Sequence, residues 1–115
     1  LHAVRQFFPD KKIICIFQPH TYSRTKLLFD DFSSSFSDAD TVLISDIYAS
    51  QRESSDPTVS SKELVAAVNK KGKHAIYVPA KEDVVKYIEQ NRFDDKYCIV
   101  TMGAGDIYKV WTNLL

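Results

Sequence analysis

Four short apolar runs, three of them followed directly by a segment of helical periodicity and the other by a polar loop and then such a segment, constrain the fold more than any other feature of this sequence. The first, Ile13 to Phe17 (IICIF), lies between Lys11-Lys12 and Pro19, and such an unbroken run reads as a strand buried on both faces. Ser23 can cap a helix carrying Leu27, Leu28, Phe32 and Phe36 on one face, with Lys26, Asp30 and Asp31 outward. Thr41 to Ser45 is a second strand, followed by a polar loop from Tyr48 to Ser60. Ser60 or Ser61 caps the next helix, whose inner stripe is Leu64, Val65 and Val68 and which stops at Gly72. Ala75 to Val78 and Tyr97 to Thr101 are the third and fourth strands. Between them a helix from about Lys81 to Gln90 turns Val84, Val85 and Ile88 inward, and a last helix bears Ile107, Val110, Trp111 and Leu114. At the start, Leu1, Val4, Phe7 and Phe8 recur at helical spacing, so the chain opens on the last turns of a helix, as if cut from something longer.

This alternation predicts an α/β fold, a three-layer, Rossmann-like domain with a mostly parallel sheet of about four strands joined by right-handed crossovers. At 115 residues the whole chain is one domain, too short for a complete ATP-dependent synthetase. Ligands of such sheets bind beyond the C-terminal strand ends, which here means the loops Gln18 to Arg24, Asp46 to Glu53 and Met102 to Asp106. Fifteen basic residues balance fifteen acidic ones, so nucleic acid is not an expected partner. No apolar stretch approaches the ~20 residues that span a bilayer, and no signal peptide opens the chain. Cys15 and Cys98 sit inside apolar runs as small buried hydrophobes, without metal or disulfide spacing, which fits a reduced, cytoplasmic protein.

The first loop, Gln18-Pro-His-Thr-Tyr-Ser-Arg24, crowds an imidazole, a phenol and a guanidinium at a strand end. Arg24 stands where a helix dipole is already positive, so it reads either as an anion-binding residue gripping a carboxylate or phosphate, or as a solvated or ion-paired helix arginine. His20 is a ligand contact or a packing histidine. Gly103, Ala104 and Gly105 open the last helix with amides able to approach a ligand closely, and Asp106 reads as that helix's cap. Asp46, which could hold a ribose hydroxyl or cap its own loop, and Tyr48 leave the second strand. No phosphate-cradling loop with Lys and Ser or Thr, no nucleophile elbow and no metal-ligand pattern occurs, so no complete catalytic centre and no metal site is expected.

Three segments in order, FQPHTYSRT (17–25) with the following FDDF (29–32), SDIYASQRE (45–53) and TMGAGDIYKV (101–110), resemble the C-terminal domain of the Mur ligases, in the branch that adds L-alanine to UDP-N-acetylmuramate. The resemblance implies an ATP-dependent amide ligase of bacterial peptidoglycan synthesis, in which a phosphorylated muramoyl carboxylate is attacked by the alanine amine. It implies that ATP and Mg2+ act in the full enzyme and are not held by this domain alone. An N-terminal domain would bind the UDP sugar, a central one the ATP, and this one would close over them with the amino acid. Carried over by motif position, His20 and Arg24 face the alanine and the reacting carboxyl region, while Gly103, Ala104 and Gly105 wall the alanine pocket. Tyr22, Asp46 and Tyr48 are weaker candidates on the nucleotide side. Some members carry arginine where this chain has Thr21, removing one cationic contact. The family's domain begins with an earlier strand ending in a histidine-rich turn, which this chain lacks, so an N-terminally truncated domain with an unpaired sheet edge and monomer-dimer heterogeneity is expected. The alternative from residue chemistry alone is a free-standing α/β module binding a small anion or nucleotide.

Overall fold

The structure, a computed structural model, describes residues 1–49, 58–91, 93–103 and 107–110, with Tyr108 described by its backbone alone. After helix α1 (His2–Phe7), strand β1 (Lys12–Phe17) leads to helices α2 (Tyr22–Leu27) and α3 (Phe29–Ser33) and strand β2 (Thr41–Ile44). Helix α4 (Ser61–Lys70), strand β3 (Ala75–Tyr77), helix α5 (Lys81–Asn91), strand β4 (Tyr97–Met102) and a 3-10 turn (Ile107–Lys109) complete it. The four strands form one sheet in the order β3-β2-β1-β4, and every pairing is parallel.

β1 lies at the centre of this order, with Ile14 opposite Thr41 on one side and Ile99 on the other. Its five residues Ile13 to Phe17 are all buried, as an unbroken apolar run demands of a strand covered on both faces. Alternate side chains serve opposite layers. Ile13, Cys15 and Phe17 pack with Phe36, Val42, Ile44, Leu64 and Val68, whereas Ile14 and Ile16 pack with Leu43, Val84, Val85, Ile88 and Val110. Each such aliphatic or aromatic side chain contributes about 1.5–3 kcal/mol by leaving water, and a one-residue slip would exchange the two sets. The α/β, three-layer expectation therefore holds.

Local signals set the crossovers. Ser60 Oγ accepts the Glu63 amide at 3.2 Å to start α4, and Gly72, at φ 84°, ends the turn after it. Asn69 then binds Ala75 with both halves of its amide, Nδ2 to O at 3.1 Å and Oδ1 from N at 2.7 Å, which fixes α4 against β3. Arg5 secures α1 through the Lys11 and Asp38 carbonyls and the Asp40 carboxylate, and Asp40 in turn accepts the Ile13 amide at 2.7 Å.

The periodicity misleads in several places. The helix after β1 is two helices, because Leu28, at φ −104° and ψ 17°, departs from helical dihedrals while still bonding to Arg24 and Phe32, and the cap is Thr21 rather than Ser23. Leu27 falls beside this break and is 82% exposed instead of facing the core. Phe7 and Phe8 also point outward while Leu1 and Val4 pack on the core. Cys98, on the edge strand β4, is half-buried rather than buried. Trp111 and Leu114 lie outside the described residues. Among those described, no strand pairs with the outer edge of β4.

Candidate functional site

The strand ends of β1, β2 and β4 meet at Gln18. Its amide donates to the Met102 carbonyl at 2.9 Å, and its buried side-chain Oε1 accepts the Ile107 amide at 3.2 Å, so one residue joins the β1 exit to the β4 exit. Parallel pairing with the β2 exit resumes two residues later. Tyr48 N–H donates to the Pro19 carbonyl and Thr21 N–H to the Tyr48 carbonyl, both at 2.8 Å, and His20 and Tyr48 form an isolated parallel bridge. Their rings stack with centroids 5.8 Å apart and planes 20° apart. Thr21 has φ 63° and ψ 144°, and its Oγ1 accepts the Arg24 amide at 3.2 Å, which sets the first turn of α2.

This stitching leaves two hollows. A cavity of about 260 Å³ is lined by Phe17, Gln18, His20, Arg24, Leu28, Phe32 and Gly103. Its wall is mostly apolar, and its two basic side chains are the half-buried His20 from the β1 exit and the exposed Arg24 from α2. Among the described residues no carboxylate pairs with Arg24, so the ion-paired reading of that residue finds no partner there. Gly103 lies close against the β1 exit and the 3-10 turn. A Cβ there would lie 3.0 Å from the Gln18 carbonyl oxygen and 3.2 Å from Ile107 Cγ2.

The second hollow, about 330 Å³, is bordered by Gln18, Ser45, Asp46, Ile47, Tyr48, Pro79, Ala80, Lys81 and Glu82. Asp46 accepts a short hydrogen bond from the Tyr77 hydroxyl on β3. That bond, with burial and the charges of Asp46 and Asp83, pushes the Tyr77 phenol up to about 12. The Lys62 ammonium lies over the Tyr77 ring, 5.5 Å from its centroid.

Of the residues singled out in the sequence, His20, Arg24 and Gly103 border the first cavity, and Asp46 and Tyr48 border the second. Tyr22 sits in the first turn of α2 and borders neither. Ala104, Gly105 and Asp106 lie outside the described residues, as does the loop 50–57 with Arg52 and Glu53. Sequence reasoning missed Gln18, Leu28, Phe32 and Tyr77. A polar residue closing an apolar run is the signal that could have marked Gln18, whereas Leu28 and Phe32 read as ordinary core. Among the described residues, no three or more His, Cys, Asp or Glu side chains come together as a metal site, and no helix is long and apolar enough to cross a membrane.

Residues 1–105 match the family described as Mur ligase, glutamate ligase domain. The chain is 46% identical over 108 residues to a UDP-N-acetylmuramate--L-alanine ligase of Caldanaerobacter subterraneus subsp. tengcongensis, covering 94% of this chain and 23% of that protein. Enzymes of the same name from Clostridium acetobutylicum and Desulfitobacterium hafniense are 47% and 41% identical, over 90% and 100% of this chain and 22% and 25% of their own length. The chain thus spans about a quarter of the length of these curated relatives.

Proposed function

Because this chain belongs to the Mur ligase family, through its glutamate ligase domain, we propose that it is the amino-acid-holding domain of an ATP-dependent ligase joining L-alanine to UDP-N-acetylmuramate in peptidoglycan synthesis. The carrying observation is the cavity between the β1 exit and α2, where a guanidinium with no carboxylate partner among the described residues stands at the rim of an apolar hollow. A planar guanidinium grips a carboxylate with two parallel hydrogen bonds, so Arg24 takes the alanine carboxylate. The wall of Phe17, Leu28 and Phe32 suits a methyl group, and among the described residues lining it Arg24 is the only lysine or arginine that an acidic side chain could pair with. This favours alanine over glutamate, in line with the relatives' names.

In the reaction, ATP supplies the phosphoryl group that activates the muramoyl carboxylate. The contribution of this chain is positional. Holding the alanine carboxylate at Arg24 leaves the neutral amine as the reaching end, and burying the methyl restricts its rotation, so the amine meets the activated carbonyl without a free bimolecular encounter. His20, stacked on Tyr48, lines the same cavity as Arg24. On the nucleotide side, Asp46 still has acceptor capacity for a sugar hydroxyl beyond the Tyr77 bond. Magnesium and the ATP loop belong, in this reading, to the central domain of a bacterial, cytoplasmic enzyme. The N-terminal domain would bring the UDP sugar.

The test is Arg24→Ala in the full-length protein. Loss of a charge-assisted pair of about 1.5–3 kcal/mol raises the L-alanine KM roughly 10- to 150-fold, with the ATP KM little changed. An unchanged alanine KM would remove the basis for the reading.

A further inference from the structure

We propose that Thr21 is a positioning residue for the cavity, its strained backbone fixing where His20 and Arg24 stand. Among the described residues it is the only one other than glycine with a positive φ, at 63°, combined with ψ 144°. For a β-branched side chain this conformation is sterically disfavoured, and it persists only where surrounding contacts over-determine it. Four hydrogen bonds do so. The Thr21 amide donates to the Tyr48 carbonyl at 2.8 Å, and Thr21 Oγ1 accepts the Arg24 amide at 3.2 Å. The Thr21 carbonyl accepts both the Thr25 amide at 3.1 Å and the fully buried Thr25 hydroxyl at 2.7 Å.

The location gives the strain its meaning. His20 precedes Thr21 and Arg24 begins one turn later, so the two basic side chains of the cavity lie on either side of the strained bond. A negative φ at Thr21 would swing α2 relative to β1 and carry the guanidinium away from Gly103 and Phe17. The amide's partner, Tyr48, borders the second hollow, so the bond that fixes the alanine side is anchored on the nucleotide side.

This inference rests on the proposed reading of the cavity, and three variants of the full-length protein separate the two. Thr21→Gly relieves the steric strain and removes the capping oxygen, leaving the turn free to move. Thr21→Asn keeps a capping oxygen without the β-branch. Arg24→Ala tests the cavity itself. We expect Thr21→Gly to raise the L-alanine KM about tenfold with the ATP KM within about twofold, since small misplacements of a binding group are costly. Thr21→Asn should restore the alanine KM to within about threefold of the parent. An alanine KM in Thr21→Gly within about twofold of the parent, or an ATP KM rising in step with it, overturns the positioning role. If Arg24→Ala also leaves the alanine KM unchanged, the cavity reading fails with it. If only Arg24→Ala raises it, the failure belongs to Thr21 alone.

Discussion

Replacing Gly103 with alanine should destabilise the chain, against the usual direction of such a change. Gly to Ala ordinarily stabilises by about 0.4–1 kcal/mol, because the unfolded chain loses freedom. At Gly103 the added methyl carbon would sit 3.0 Å from the Gln18 carbonyl oxygen and 3.2 Å from both Gln18 Cβ and Ile107 Cγ2. None of these atoms is the loose end of a flexible side chain. Gln18 is held by the Met102 carbonyl at 2.9 Å and the Ile107 amide at 3.2 Å, so relief requires moving the β1 exit or breaking that link. Overpacking of this kind costs about 1–3 kcal/mol. With a urea dependence of about 1–3 kcal/mol per molar for a domain of this size, the unfolding midpoint should fall by roughly 1 M. Urea titration followed by circular dichroism reads this directly. A midpoint equal to or above the parent's would mean that the close approach of β4 to Gln18 does not constrain the fold, and the account of the cavity's back wall would go with it.

The Asp40 carboxyl answers to acid. Burial raises its pKa, but the Ile13 amide, the Arg5 hydrogen bond and the charges of Arg5 and Lys12 outweigh this and hold it below the ordinary 3.8. A depressed carboxyl stabilises the fold above the unfolded-state value and loses that contribution as pH falls through the folded one, so stability should drop below about pH 4. Asp40→Ala should cost about 1–3 kcal/mol at neutral pH by orphaning the buried Ile13 amide, and should flatten the acid limb in thermal unfolding. At the other extreme, ultraviolet titration should find one phenol ionising near 12, and Asp46→Asn should return it toward 10, since Asp46 is its chief perturber. Retention of the high value in that variant would show that burial dominates instead.

The layers were readable because β1 is apolar from Ile13 to Phe17 and α4 and α5 keep their stripes at 3.6-residue spacing. Val84, Val85 and Ile88 are buried as the pattern requires. The break at Leu28 was not readable, since leucine has no local signal for leaving a helix and the decision comes from packing Phe32 and Phe36 on Phe17, at centroid distances of 5.3 Å. Arg24 announced itself as a cation poorly placed for a helix start, and His20 by adjacency. Leu28 and Phe32 could not, because the same periodicity that packs a core also lines a cavity. Tyr77 became visible only when strand order set it beside Asp46.

The position of β1 between β2 and β4 also sets an order of events during biosynthesis. β2 is the next strand made after β1 and can pair with it at once, but the other edge of Ile13 to Phe17 waits for Tyr97 to Met102, the last of the four strands. At about 5–20 residues per second the nascent chain carries its most aggregation-prone segment with one open edge for several seconds. Lys11 and Lys12, flanking that run, then act as gatekeepers whose charge discourages pairing with a neighbouring nascent chain until β4 arrives.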